Sequence, residues 1–129
     1  MEIKLPKNIE KILNDESLDD ETILFKNNYF VLLIDPKNKC DSFHYTAWYK
    51  EEIPSLKYVN FDIYQQILEL KKILIEKEII QKDSISYIHY PPHFYRLHIH
   101  FVDKNHKFHA PKNHIFHLDQ IKNLFMCKL

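Results

Sequence analysis

The segment Tyr95-Arg-Leu-His-Ile-His-Phe-Val-Asp103 constrains the fold more than any other stretch of the chain. Its residues alternate in character with a period of two, which is the period of a β-strand. Arg96, His98 and His100 therefore share one face, and Leu97, Ile99 and Phe101 share the other. A strand with one apolar face and one polar, cationic face belongs in a sheet covered on a single side. The uncovered side then presents imidazoles on a rigid support. His89 and His93 lie just upstream, and eight of the nine histidines fall between His89 and His117, with only His44 outside. Imidazole donates, accepts, carries charge or ligates metal near neutral pH. A site that binds or attacks phosphate is expected on this segment.

Composition removes several alternatives. The chain has no glycine. The P-loop and dinucleotide-binding fingerprints both need glycine where the backbone approaches phosphate, so neither is available. A length of 129 residues with 45% hydrophobic content predicts one globular domain with its own core. The formal net charge is zero, so anion binding must come from a local cluster and not from a global basic field. Cys40 and Cys127 are far apart and form no CxxC, which reads as two reduced thiols in an intracellular protein. The first residues lack a secretory apolar run, and no stretch approaches the ~20 apolar residues of a membrane span. A soluble protein of the cytoplasm or also the nucleus is expected, with no membrane partner.

Along the chain, Pro6 to Asn14 reads as a short amphipathic helix and Ser17–Glu21 as an acidic link. Residues 1–21 thus form a helix and linker, and 22–126 the core of a single domain spanning 1–129. Thr22–Phe25 and Tyr29–Ile34 read as strands, Asp35-Pro36-Lys37-Asn38 as a turn, and Phe43–Lys50 as β-favouring. Ser55–Tyr58 reads as a short strand or turn. Asn60 is a good N-cap for a long helix from Phe61 to about Ile80, with Tyr64, Ile67, Leu68, Leu74 and Ile75 as its apolar stripe. Ser84–Tyr90 is a strand with Ile85, Tyr87 and His89 on one face, and Pro91-Pro92 turns the chain into Tyr95–Asp103. His114–Met126 closes the chain as an amphipathic helix. The order predicts an α+β fold: an antiparallel sheet with a long helix and a C-terminal helix.

Leu97-His-Ile-His-Phe101 resembles the motif of the histidine-triad superfamily, in which three histidines alternate with apolar residues. The run Tyr87-Ile-His-Tyr-Pro-Pro-His-Phe-Tyr-Arg-Leu-His-Ile-His-Phe101 is similar to the scavenger mRNA-decapping enzymes of that superfamily, more particularly to their C-terminal catalytic domain. The similarity extends to Ile9–Phe25, to Phe30–Lys37 with its Asp35-x-Lys37 end, and to Ala47–Leu56, covering roughly Ile9 to Leu124. The resemblance implies a hydrolase that cleaves a phosphoanhydride of cap-like or dinucleoside polyphosphates. In that family the central histidine, here His98, attacks phosphorus and forms a histidine–phosphate intermediate. His100, His89 and Lys37 match positions that contact phosphate, and Asp35 matches the family's aspartate near the nucleotide. The resemblance implies no metal and no cofactor, and it implies a homodimer, with Phe61–Ile80 or a sheet edge at the interface.

The departures from the family pattern bear on activity. Arg96 stands at the first triad position, where it keeps charge and donors but cannot shuttle a proton. His93 and Phe94 replace a serine and a tyrosine, with His93 a substitute donor to phosphate. A counterpart of the family's amino-terminal, cap-closing domain is not expected. Trp48, the single tryptophan, is expected in the core and not as a cap-stacking platform. These departures keep a second reading open: a weakly active or inactive relative that binds a nucleotide, or a protein or ribonucleoprotein partner. His106, His109, His114 and His117 have a spacing compatible with zinc, but they read as solvated loop and helix histidines.

Overall fold

A computed structural model describes residues 23–34, 43–53, 56–90, 97–108 and 111–126, the last four of these by backbone alone. The expected N-terminal helix and link, the Asp35–Asn38 and Pro91-Pro92 turns and both cysteines lie outside the described residues.

Among the described residues the strands are β1 (Ile23–Lys26), β2 (Phe30–Ile34), β3 (His44–Tyr49), β4 (Ile85–His89), β5 (His98–Val102) and β6 (Ile115–His117). They form one antiparallel sheet in the order β1-β2-β3-β5-β4-β6. Helix α1 (Phe61–Glu76) follows a 3-10 turn at Leu56–Tyr58, and helix α2 (Leu118–Met126) ends the described chain. The α+β expectation therefore holds. No helix of the described residues is long and apolar enough to cross a membrane.

The period of two decides which face is covered. Phe30 and Leu32 of β2, Ala47 and Tyr49 of β3, Leu97, Ile99 and Phe101 on and before β5, and Ile88 of β4 are buried in one cluster. Ile63, Tyr64, Ile67, Leu70 and Leu74 of α1 and Leu118 and Ile121 of α2 complete it. Ile99 and Phe101 are fully buried, each stabilising the fold by roughly 1.5–3 kcal/mol through the apolar area removed from water. The Tyr49 hydroxyl donates to Gln66 Oε1 at 2.7 Å, tying the sheet to α1.

Three boundaries differ from expectation. Helix α1 begins as expected, with Asn60 accepting from the Ile63 N–H at 2.8 Å, but it stops at Glu76 instead of Ile80. Lys77 caps it and Glu78 turns left-handed at φ 60°. The Glu78 N–H bonds to the Ile75 carbonyl and the Ile79 N–H to the Leu74 carbonyl, the paired bonds of a Schellman cap. That position is usually glycine; in a chain without glycine the stop signal is silent. The stripe is also rotated: Ile63, Ile67, Leu70 and Leu74 face the sheet, whereas Leu68 is 40% exposed.

The last helix is the larger correction. Lys112–His114 form a 3-10 turn and Ile115–His117 a strand before α2 starts at Leu118. Strand β6 pairs with β4 through Tyr87↔His117, Ile88↔Phe116 and His89↔Ile115. Three residues are too few to show a period, and Ile115, Leu118 and Ile121 also fit helical spacing. Of the expected strand Tyr95–Asp103, β5 covers His98–Val102, with Leu97 and Asp103 just outside it and Tyr95 and Arg96 outside the described residues.

Candidate functional site

The face of the sheet turned away from α1 carries the polar alternates of β3, β4 and β5, and it is itself largely buried. Directly opposed residues on antiparallel strands point to the same side. Trp48 opposes His98, Thr46 opposes His100, and Tyr87 opposes His100 from the other flank. His98 and His100 thus share one face, as the alternation requires. Arg96, their expected companion, lies outside the described residues, as do His93, Lys37 and Asp35.

Each of the two histidines is stacked by an aromatic ring from a different neighbouring strand. Trp48 lies on His98 with ring centroids 4.3 Å apart and planes 22° from parallel. Tyr87 lies on His100 at 4.9 Å and 11°. The two imidazoles are 5.0 Å apart, edge to face. His98 is only 7% exposed and Trp48 5%. Trp48 is therefore buried as expected, but it is buried against the histidines and takes no part in the core beneath the sheet.

His44 was set apart in the sequence, and the fold brings it back. It stands at the start of β3, diagonal to His100, with its Nε2 2.9 Å from His100 Nδ1. In a neutral pair at this distance one ring donates its N–H and the other accepts, so each tautomer fixes the other. The alternation His44, Thr46, Trp48 in a β-favouring segment signals that the three share a face, and the pairing of β3 with β5 brings that face to His100. His106, from the loop after β5, packs edge-on to His44 at 5.4 Å and to Phe108 at 4.7 Å. His117 packs against Phe108, and His89 lies 5.9 Å from His114. All four are half-buried, and the Phe108 that His106 and His117 flank packs on Tyr87, Val102 and Ile115, so the expectation of solvated histidines is corrected for His106, His114 and His117. His109 lies outside the described residues.

Electrostatics follow from the crowding. Burial, then the neighbouring His98, His44, His89 and His106, hold the His100 pKa well below the ordinary histidine value. His100 is therefore a neutral ring at pH 7, able to donate one N–H while accepting at its other nitrogen. No group of three or more His, Cys, Asp or Glu among the described residues is arranged to hold a metal ion. A surface groove of about 690 Å³ lies elsewhere, between the β1–β2 turn and α1, and carries none of these imidazoles. The histidine face combines a buried imidazole, a neutral donor beside it and aromatic rings packed on both, a setting in which an imidazole can donate to or attack an anionic group.

Comparison with known proteins agrees with this architecture. The chain is similar to a solved structure titled "Hit Like Protein", with 18% identity and a TM-score of 0.61, over 74% of this chain and 96% of that one. It is also similar to a histidine triad protein from Clostridium difficile, with 14% identity and a TM-score of 0.62, over 84% of this chain and all of that one. At these identities the likeness is one of fold. No curated protein matches the chain. Residues 7–116 match the family described as "Scavenger mRNA decapping enzyme C-term binding". With the match spanning most of the sequence and the histidine-bearing strand within it, the chain belongs to the family of the scavenger decapping enzyme's C-terminal domain, built on the histidine-triad fold.

Proposed function

We propose that the protein is a nucleotide pyrophosphatase that cleaves a phosphoanhydride of cap-like or dinucleoside polyphosphates, with His98 as nucleophile. The observation that carries this reading is the placement of His98 beside a neutral His100 on one sheet face, with Trp48 and Tyr87 stacked on the two rings. In the first step a ring nitrogen of His98 uses its lone pair to form an N–P bond. The bridging P–O bond breaks, and its electron pair leaves on the oxygen of the departing nucleotide. Water then attacks phosphorus, the N–P pair returns to the ring, and a proton is released. When His44 donates through Nε2, His100 carries its own N–H on Nε2, a donor for the charge developing on phosphate. His89, at the end of β4 on the same face, adds a further phosphate contact. Lys37, Asp35, His93 and Arg96 take phosphate- or nucleotide-binding roles in this reading on the strength of the sequence resemblance. The protein acts as a homodimer through α1 or a sheet edge, with Phe61 and Leu68 among the exposed apolar residues of that helix.

Hydrolysis of a methylated cap analogue and of diadenosine polyphosphates, with His98→Asn alongside, tests the reading. Turnover that disappears in His98→Asn while binding persists is the expected result. Turnover unchanged in His98→Asn rules the mechanism out. Arg96 at the first triad position favours a second reading, a nucleotide-binding relative without turnover, which binding in the absence of hydrolysis would select. Absence of both would point to a protein or ribonucleoprotein partner.

A further inference from the structure

The ring stacked on His98 belongs to the only tryptophan of the chain. Trp48 and His98 are directly opposed on β3 and β5, nearly parallel at 4.3 Å, and both are nine-tenths or more buried. Parallel stacking at this distance restricts rotation of the imidazole about its bond to Cβ. It also sets the negative face of an indole π-system against the ring, an arrangement that favours positive charge on the stacked partner.

Positive charge on His98 is otherwise poorly placed. His100 adjoins it on the same strand, and His100 is itself crowded by His44 of β3, His89 of β4 and His106 of the following loop. A ring withdrawn from water among other imidazoles gains little from hydration when it becomes cationic. Yet bonding phosphorus through one nitrogen while keeping the other protonated makes the ring cationic. A charge-tolerant surface against His98 would act in the transition state more than in the ground state.

We propose that Trp48 is a positioning residue for His98, fixing the plane of the imidazole and stabilising the positive charge it gains on bonding to phosphorus. The catalytic part of this inference rests on the pyrophosphatase reading; the ring-to-ring coupling does not.

The test is a ring titration of His98 followed by NMR in the unsubstituted protein, Trp48→Phe and Trp48→Leu, together with Trp48 fluorescence against pH. The titration midpoint of His98 is expected to move to lower pH in Trp48→Leu by about half to one pH unit, with Trp48→Phe recovering part of the shift. Emission of Trp48 is expected to fall as His98 gains its proton, and this inflection is expected to vanish in His98→Asn. A midpoint unmoved or raised in Trp48→Leu overturns the proposal. If Trp48→Leu does not fold, the fluorescence titration decides, and emission without an inflection that depends on His98 overturns the proposal equally. With a nucleotide substrate, Trp48→Leu is expected to lower kcat about tenfold at unchanged KM; a change confined to KM overturns the catalytic part. If the unsubstituted protein turns over no nucleotide, the pyrophosphatase reading fails while the ring titration still judges the coupling.

Discussion

Nε2 of His44, the one histidine remote from the others in sequence, lies 2.9 Å from Nδ1 of His100. Removing this partner leaves a polar nitrogen of a largely enclosed ring without its bond, which costs about 1–3 kcal/mol. His44→Leu is therefore expected to lower the unfolding free energy by that amount. It should also release the tautomer of His100, visible in its ring ¹⁵N shifts. Unchanged shifts would show that His44 does not set the tautomer.

The neutral state of His100 has a consequence for acid stability. Its folded pKa lies well below the ordinary value of 6.5 that the unfolded chain retains. Below the unfolded value the unfolded state binds a proton that the folded state refuses, so stability falls as pH drops through that value and on toward the folded one. Above it the group contributes no pH dependence. Denaturant unfolding at about pH 7.5 and about pH 5.5 should show a loss at the lower pH that is smaller in His100→Gln. Equal losses in the two proteins would remove His100 as the cause.

Glu78 occupies a left-handed position that carries a penalty for any residue with a Cβ. Glu78→Gly keeps both capping bonds and removes that penalty. The unfolding free energy is expected to rise by about 1 kcal/mol and Tm by roughly 2–5 °C, read by thermal denaturation. A drop in Tm would mean that the glutamate side chain contributes more than its backbone costs.

Sedimentation velocity at micromolar concentration checks the proposed dimer. The expected species has twice the mass of the 15.8 kDa chain. A monomer there removes the dimer from the functional proposal. Phe61→Ser with Leu68→Ser, both on the exposed side of α1, should dissociate a dimer built through that helix.

Much of the architecture was legible because it follows from local periods. The alternation from Leu97 to Phe101 separated an apolar face from a histidine face, and the structure puts Ile99 and Phe101 in the core and His98 and His100 opposite them. Asn60 announced the start of α1, since an N-cap works through a side chain visible in the sequence. The end of α1 was hidden because its signal is a backbone conformation, and here a glutamate adopts it. Strand β6 was hidden because three residues become a strand only through pairing with β4.

The candidate site divides along the same line. The sequence by itself determined that His98 and His100 stand side by side, because a two-residue period is a property of one strand. Only the tertiary structure decided what surrounds them. Trp48 reaches His98, and His44 reaches His100, through the β3–β5 register across fifty residues or more; Tyr87 arrives from β4, and His106 folds back from a loop. Register is set by which apolar faces meet over α1 and by the pairing of neighbouring strands. Those are non-local quantities, so no single segment could carry them.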